Sequence, residues 1–238
     1  MKLLAVDTST EACSAALMID QDVIERYQVA PREHAQLILP MIDSLMAEAG
    51  LKPQELDALA FGRGPGSFTG LRIATGIIHG IAFGADLPVV PVSTLAAIAQ
   101  DFFDTESRQR HKTGDSAGEK IVYTAMDARM GEIYWAVYQR DAMGFVELIG
   151  KEQVIAADQV EAPELEGVGV GSGWAVYPDL LMSRLAGRVS RWQSDILPRA
   201  GAIARLGVYG FNHGLALPVE QAMPVYLRDK VAKKESER

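Results

Sequence analysis

Two short blocks hold the residue types that chemistry uses. Residues 61–76, FGRGPGSFTGLRIATG, set Gly62, Gly64, Gly66 and Gly70 around Pro65 ahead of a helix-like run. Loops of this kind often cradle phosphate, because backbone N–H groups converge where the helix begins. A Walker loop requires G-x-x-x-x-G-K-[ST], and no lysine follows these glycines before Lys112. A dinucleotide fingerprint requires G-x-G-x-x-G, but Gly62 and Gly64 meet Ser67, and Gly64 and Gly66 meet Thr69. The second block, GVGVGSGW over Gly167–Trp174, fails in the same way at Ser172. What remains is a strand, a glycine turn and a helix that Ser67 or Thr69 caps, with weak anion contact as the lesser reading.

Hydrolytic and metal chemistry find less support. G-x-S-x-G is absent around both Ser67 and Ser172, where Pro65 and Val170 stand in the first glycine position. His34, His79, His111 and His213 are dispersed, with no H-E-x-x-H and no Cys/His cluster. His34, at a helix start, reads as a capping or surface group, and mid-helix His79 as a packed or interface residue. Asp7 and Asp127 each end a strand, so matching carboxylates at two hairpin tips would face a cleft and hold a metal–phosphate. An Asx turn at each tip is the plainer reading. Arg129 offers a planar fork to a phosphate or a partner carboxylate, or else a surface salt bridge.

A different signal lies in the helix that follows the first loop. Gly76, Gly80 and Gly84 recur every fourth residue, with Ala74, Ile78 and Ala82 on the adjacent stripe. An interior helical glycine costs about 1 kcal/mol against alanine. Three on one face require compensation, and close approach of another helix supplies it. That helix belongs either to the same fold or to a partner subunit.

The elements that must position these residues follow from periodicity. Leu3–Val6, Ala12–Ile19 and Val23–Val29 read as a three-strand antiparallel meander. His34–Ala49 has helical spacing, with stripes Leu37, Met41, Leu45 and Ile38, Ile42, Met46, a cap at Gly50 and a kink expected at Pro40. Strand Leu56–Phe61, helix Phe68–Ala85, strand Pro88–Val92 and helix Thr94–Phe103 complete an α/β lobe, residues 1–104. Thr105–Lys120 has Ala117 as its one apolar residue and reads as a solvated, mobile linker. Strands Ile121–Ala128, Ile133–Gln139 and Phe145–Ile149 then open a second lobe, 121–238, as the first lobe opened. Short and long helices follow from Tyr177 and from Pro198 to Asn212, before a basic tail that either stays with the second lobe or packs back on the first. The repeated opening predicts a duplicated architecture, blurred after residue 150.

The bulk numbers exclude several classes. With 238 residues, 48% hydrophobic, the chain supports one large domain or two lobes with buried cores. Its net charge of −8 disfavours tight direct nucleic-acid binding. The single Cys13 excludes a disulfide framework, and MKLLAVD is too short and too early charged for a signal core. The nearly uncharged Ile73–Ala85 falls short of the roughly 20 residues a membrane span needs. A soluble cytoplasmic protein without membrane contact is expected.

Six blocks together resemble the TsaB (YeaZ) family, bacterial subunits of tRNA threonylcarbamoyladenosine biosynthesis. They are LLAVDTSTEACSAAL, PREHAQLILPMI, AFGRGPGSFTGLRIATGIIHGIA, VPVSTL, MDARMGEIYWAVY and PVYLRD. The resemblance implies a degenerate two-lobed actin-like ATPase fold, of the sugar kinase/Hsp70/actin type. It implies partnership with the catalytic TsaD subunit, joined by the ATPase TsaE. That complex moves threonylcarbamoyl from its adenylate to N6 of the adenosine beside the anticodon, in tRNAs reading A-starting codons. It places the pairing surface on two helices, here at His34, Leu37, Ile38, Met41 and Leu45, and at Ala74, Gly76, Ile77, Gly80, Ile81 and Gly84. Where the catalytic relative has an H-x-x-x-H metal pair, this chain has Thr94 and Ile98, neither of which replaces imidazole as a ligand. The relative's later phosphate loop corresponds to MDARMGEIY, with one glycine. The implied protein has no catalytic residues, no metal and no tightly bound cofactor, meets tRNA only through the complex, and forms a homodimer when alone. Asp7, Thr8, Glu11, Asp127 and Arg129 would line an inter-subunit pocket for ATP or ADP, or for the third subunit. The alternatives are an autonomous ATP-dependent phosphotransferase using Asp7 and Asp127, a peptidase, and a homodimeric scaffold.

Overall fold

In the computed structural model, which describes residues 1–113 and 118–228, ten strands form two five-stranded sheets. β1 (Lys2–Asp7), β2 (Ala12–Ile19) and β3 (Asp22–Val29) make the expected meander, followed by α1 (His34–Ala49). β4 (Ala58–Gly64), α2 (Phe68–Ala85) and β5 (Val89–Ser93) add two parallel strands beside β1, giving the order β3-β2-β1-β4-β5. α3 (Thr94–Thr113) leads to β6 (Ile121–Arg129), β7 (Glu132–Arg140) and β8 (Val146–Ala156). β9 (Gly167–Val170), α4 (Gly173–Val176), α5 (Pro178–Arg184), β10 (Val189–Gln193) and α6 (Ala200–Asn212) complete the described elements.

The second sheet runs β10-β9-β6-β7-β8, with β9 parallel to β6 and β10 parallel to β9. Counted from each meander, both sheets have their strands in the order third, second, first, fourth, fifth. The duplication therefore extends past residue 150.

Alternation explains how each sheet is covered on both faces. In β2, Cys13, Ala15 and Leu17 join the core under α1 and α2, while Ala16 and Met18 join the opposite core. That opposite face is covered by α6, whose Ala200, Ala202, Ile203 and Ala204 meet Leu3, Ala5, Ala60 and Val92. Gly207 permits the approach, since a Cβ there would press on Ala60 and Leu3. α3 crosses the other way, seating Leu95, Ile98, Phe102 and Phe103 on Val122, Ala136, Tyr138 and Val168 of the second sheet. So α6 lies in sequence after 121 but packs on the first sheet, which corrects the simple division at 104 and 121.

The linker expectation is also corrected. Residues 105–113 continue α3, and 114–117 lie outside the described residues. Low apolar content misleads there, because a solvent-facing turn needs helix formers rather than core residues. Glu106 and Arg110 form an i,i+4 ion pair at 2.7 Å, and Ser107 Oγ donates to Phe103 O at 2.6 Å. In α1 the helix continues through Pro40.

Candidate functional site

The glycine-rich loop is built against the tip of the β1–β2 hairpin. Asp7 ends β1 fully buried, and its Oδ1 accepts from Ser9 N at 3.0 Å and Ser9 Oγ at 2.9 Å. Among the described residues its Oδ2 has no hydrogen-bond partner, and it lies against Gly62, where a side chain would collide with it. Burial pushes the Asp7 carboxyl up to about 6, with the Ser9 bonds pulling back. Thr8 Oγ1 donates to Gly70 O at 2.7 Å, and Ser67 N donates to Ser9 O at 2.7 Å. A Cβ at Gly66 or Gly70 would overlap the backbone carbonyls of Ser9 and Thr8. The space a phosphate loop keeps for phosphate is thus filled by the chain's own carbonyl oxygens, which repel anions. Ser67 caps α2, accepting from Gly70 N at 3.4 Å. The loop joins a turn to a helix, and within this chain its residues do not fit a nucleotide.

The paired-carboxylate expectation is corrected accordingly. Asp7 and Thr8 are sealed, while Glu11 and Arg129 are exposed and Asp127 is half-buried. Asp127 Oδ1 accepts from Arg129 N at 2.8 Å, the Asx turn. Of the five residues, Glu11, Asp127 and Arg129 keep an accessible surface. Among the described residues, no group of three or more His, Cys, Asp or Glu is placed to hold a metal ion. Thr94 and Ile98, at the positions compared with the metal pair, are both fully buried.

The C-terminal tail packs back on the first lobe and ties the lobes together. Leu217 pairs with Val89, His79 Nε2 lies 2.7 Å from Ala222 O, and Val225 N donates to Arg63 O at 2.7 Å. The Tyr226 ring sits 5.5 Å from that of Phe68, at the start of α2. Arg228 then reaches the β6–β7 hairpin, donating to Ala128 O at 2.9 Å and Arg129 O at 3.3 Å and pairing with Glu132. Residues 217–228 therefore strap the first lobe to the hairpin tip of the second. At that tip Arg129, Met130 and Gly131 all have positive φ (63°, 59° and 82°), which costs the two non-glycine residues energy that Arg228 offsets. We expect Arg228→Ala to lower stability by about 2 kcal/mol, the worth of charge-assisted bonds to a partly buried guanidinium. The midpoint of urea unfolding measures it.

α1 and α2 lie side by side over the first sheet, and the structure divides their residues sharply. His34, Ile38, Leu45 and Ala74 face this chain's own core, which corrects their assignment to an outer surface. His34 is neither cap nor surface group; its Nε2 is buried without a hydrogen-bond partner among the described residues. Leu37, Met41, Ile77 and Ile81 are half-buried between core and solvent. Gly76, Gly80 and Gly84 are exposed, and among the described residues nothing comes within 4 Å of a Cβ built on any of them. Beside them Phe83 is 80% exposed, and Leu39 and Phe68 are about half exposed (49% and 51%). Phe83 and Leu39 escaped the sequence reading because a stripe argument selects regular spacing, and both fall off it. Of the described helices, α2 alone has the length and hydropathy of a membrane span (18 residues, mean hydropathy 1.2). Its inner stripe of Ala74, Ile78 and Ala82 is committed to the sheet.

Two sheets of the same strand order, each opened by a three-strand meander, with α3 and α6 packed between them, define the class: a two-lobed α/β protein of the actin-like ATPase fold. The family model that matches, over residues 27–235, is described as TsaD, tRNA N6-adenosine threonylcarbamoyltransferase. The chain is 41% identical to the tRNA threonylcarbamoyladenosine biosynthesis protein TsaB of Escherichia coli (strain K12), over 98% of this chain and 96% of that protein. It is 39% identical to TsaB of Haemophilus influenzae, over 97% and 95%. The structure of YeaZ from Pseudomonas aeruginosa superimposes with a TM-score of 0.81 at 40% identity, covering 95% of this chain and 99% of that one. The chain belongs to the TsaB family of tRNA threonylcarbamoyladenosine biosynthesis proteins.

Proposed function

We propose that this chain is the non-catalytic subunit that binds and supports a TsaD-type catalytic subunit. The complex would transfer threonylcarbamoyl from threonylcarbamoyl-AMP to N6 of the adenosine beside the anticodon. The observation that carries the reading is the open glycine row of α2. Among the described residues nothing packs against the Cβ positions of Gly76, Gly80 and Gly84, so no contact there repays the stability they forgo. A helix of a second subunit, seated on that row between Leu37, Ile77 and Phe83, repays it by close backbone approach and apolar burial. The same surface pairs with a second copy when the partner is absent. The partner's competent state is favoured to the extent that the chain binds it better than the incompetent one.

A TsaE-type ATPase and tRNA join through the complex. ATP or ADP is held at the subunit junction, beside Glu11, Asp127 and Arg129, with the partner supplying the phosphate ligands that Asp7 and Thr8 do not. Reconstitution tests the function. With threonylcarbamoyl-AMP and tRNA, modification requires both the chain and the TsaD-type subunit, and the chain alone gives none. Turnover by the chain alone, or a catalytic subunit that works equally well without it, refutes the reading.

A further inference from the structure

An acidic protein gathers three arginines around one cavity. The cavity, of about 540 Å³, lies where α3, the β7–β8 turn and α6 meet, away from the α1–α2 face. Arg108, Arg140 and Arg205 line it together with a single carboxylate, Asp104, and with Ser107, Met143 and Gly144. Three guanidinium groups against one carboxylate leave an excess of two positive charges there, in a chain whose net charge is −8.

The carboxylate is already used. Asp104 Oδ1 accepts from Arg205 Nη1 at 2.7 Å and from Gln100 Nε2 at 2.9 Å. Gln100 is fully buried and also holds the turn, donating to Gly144 O at 3.0 Å and accepting from Val146 N at 3.2 Å. Arg140 is seated against Gly144 and lies 5.7 Å from the centre of the Phe103 ring. Neither the Arg108 nor the Arg140 guanidinium has a hydrogen bond or ion pair with any described residue. Two planar forks thus stand unpaired at one mouth, one fixed by a ring and a glycine turn, above a floor that Gln100 locks.

We propose that this cavity is an anion site that takes the phosphate groups of a small phosphorylated molecule. Guanidinium matches phosphate oxygens two at a time, and the two unpaired arginines suit two adjacent phosphates. The cavity's excess of two positive charges sits on a chain whose net charge is −8, which fits a discrete ligand better than a run of nucleic-acid backbone.

The test is calorimetric titration of the full chain with inorganic pyrophosphate at low salt. One-to-one saturable binding is expected, weakened at least tenfold in both Arg140→Gln and Arg108→Gln. Arg108 is exposed, so its variant leaves the fold unaltered, and a thermal midpoint checks Arg140→Gln. Competition by ADP identifies a nucleotide as the natural source of the phosphates, and its failure a non-nucleotide phosphate; both support the site. Absence of saturable binding, equal affinity in the two variants, or tighter arginine-dependent binding of an RNA homopolymer than of pyrophosphate overturns it. Complex formation with a TsaD-type subunit remains intact in Arg108→Gln, so this result stands apart from the proposed function.

Discussion

Asp7→Asn is expected to stabilise the chain by about 3 kcal/mol at pH 8. Burial raises the Asp7 carboxyl from 3.8 to about 6, and each unit is worth about 1.4 kcal/mol. The sign follows from proton binding. Between pH 3.8 and about 6 the folded chain keeps a proton that the unfolded chain releases, so stability falls as pH rises. Above that window the charged, half-satisfied carboxylate stays buried at full cost. Asparagine retains an oxygen for the Ser9 bonds and removes the charge. The gain should vanish below about pH 4, where the native carboxyl is neutral too. Asp101, also raised to about 6 by burial, leaves both proteins a fall of the same sign, so the difference between them is the quantity to read. Urea unfolding at pH 4 and pH 8 measures it, and equal stability of the two proteins at pH 8 contradicts the burial of Asp7.

Replacing Gly76, Gly80 and Gly84 together by alanine is expected to move stability and binding in opposite directions. Each change recovers about 1 kcal/mol of helix propensity. Open space above all three means that no clash offsets the gain. The monomer should gain about 2–3 kcal/mol, roughly 4–12 °C in thermal midpoint for a chain of this size. Association with the partner should weaken at least tenfold, because three methyl groups stand where a second helix must approach. A triple variant that binds as tightly as the parent removes the reason for the glycines.

The first lobe was largely legible, because its strands and helices have strong period-2 and period-3.6 patterns. β9 was not, since Gly167-Val-Gly-Val offers no alternation of bulk. Trp174 lies flat on Gly169, and a side chain there would overlap the indole. β10 was missed because Val189 is its one buried residue, so its burial carries no period. The continuation of α3 was hidden by polarity, and the return of α6 to the first sheet by its distance along the chain. The glycine-rich loop showed clearly as a strand-to-helix turn. What the sequence withheld was the direction of burial: Asp7, Thr8 and His34 point inward, while Phe83 and Leu39 point out. Periodicity ranks the faces of an element, and tertiary packing decides which face meets solvent.

The most direct test of the partner-subunit account is the molar mass, by light scattering during size exclusion, of the chain mixed with a TsaD-type subunit. Gly80→Arg is the matched variant. Gly80 opens onto free space, so arginine leaves the monomer folded while blocking the row. The account predicts a one-to-one complex for the parent chain and separate species for Gly80→Arg. No complex with the parent, or an equal complex with the variant, contradicts it.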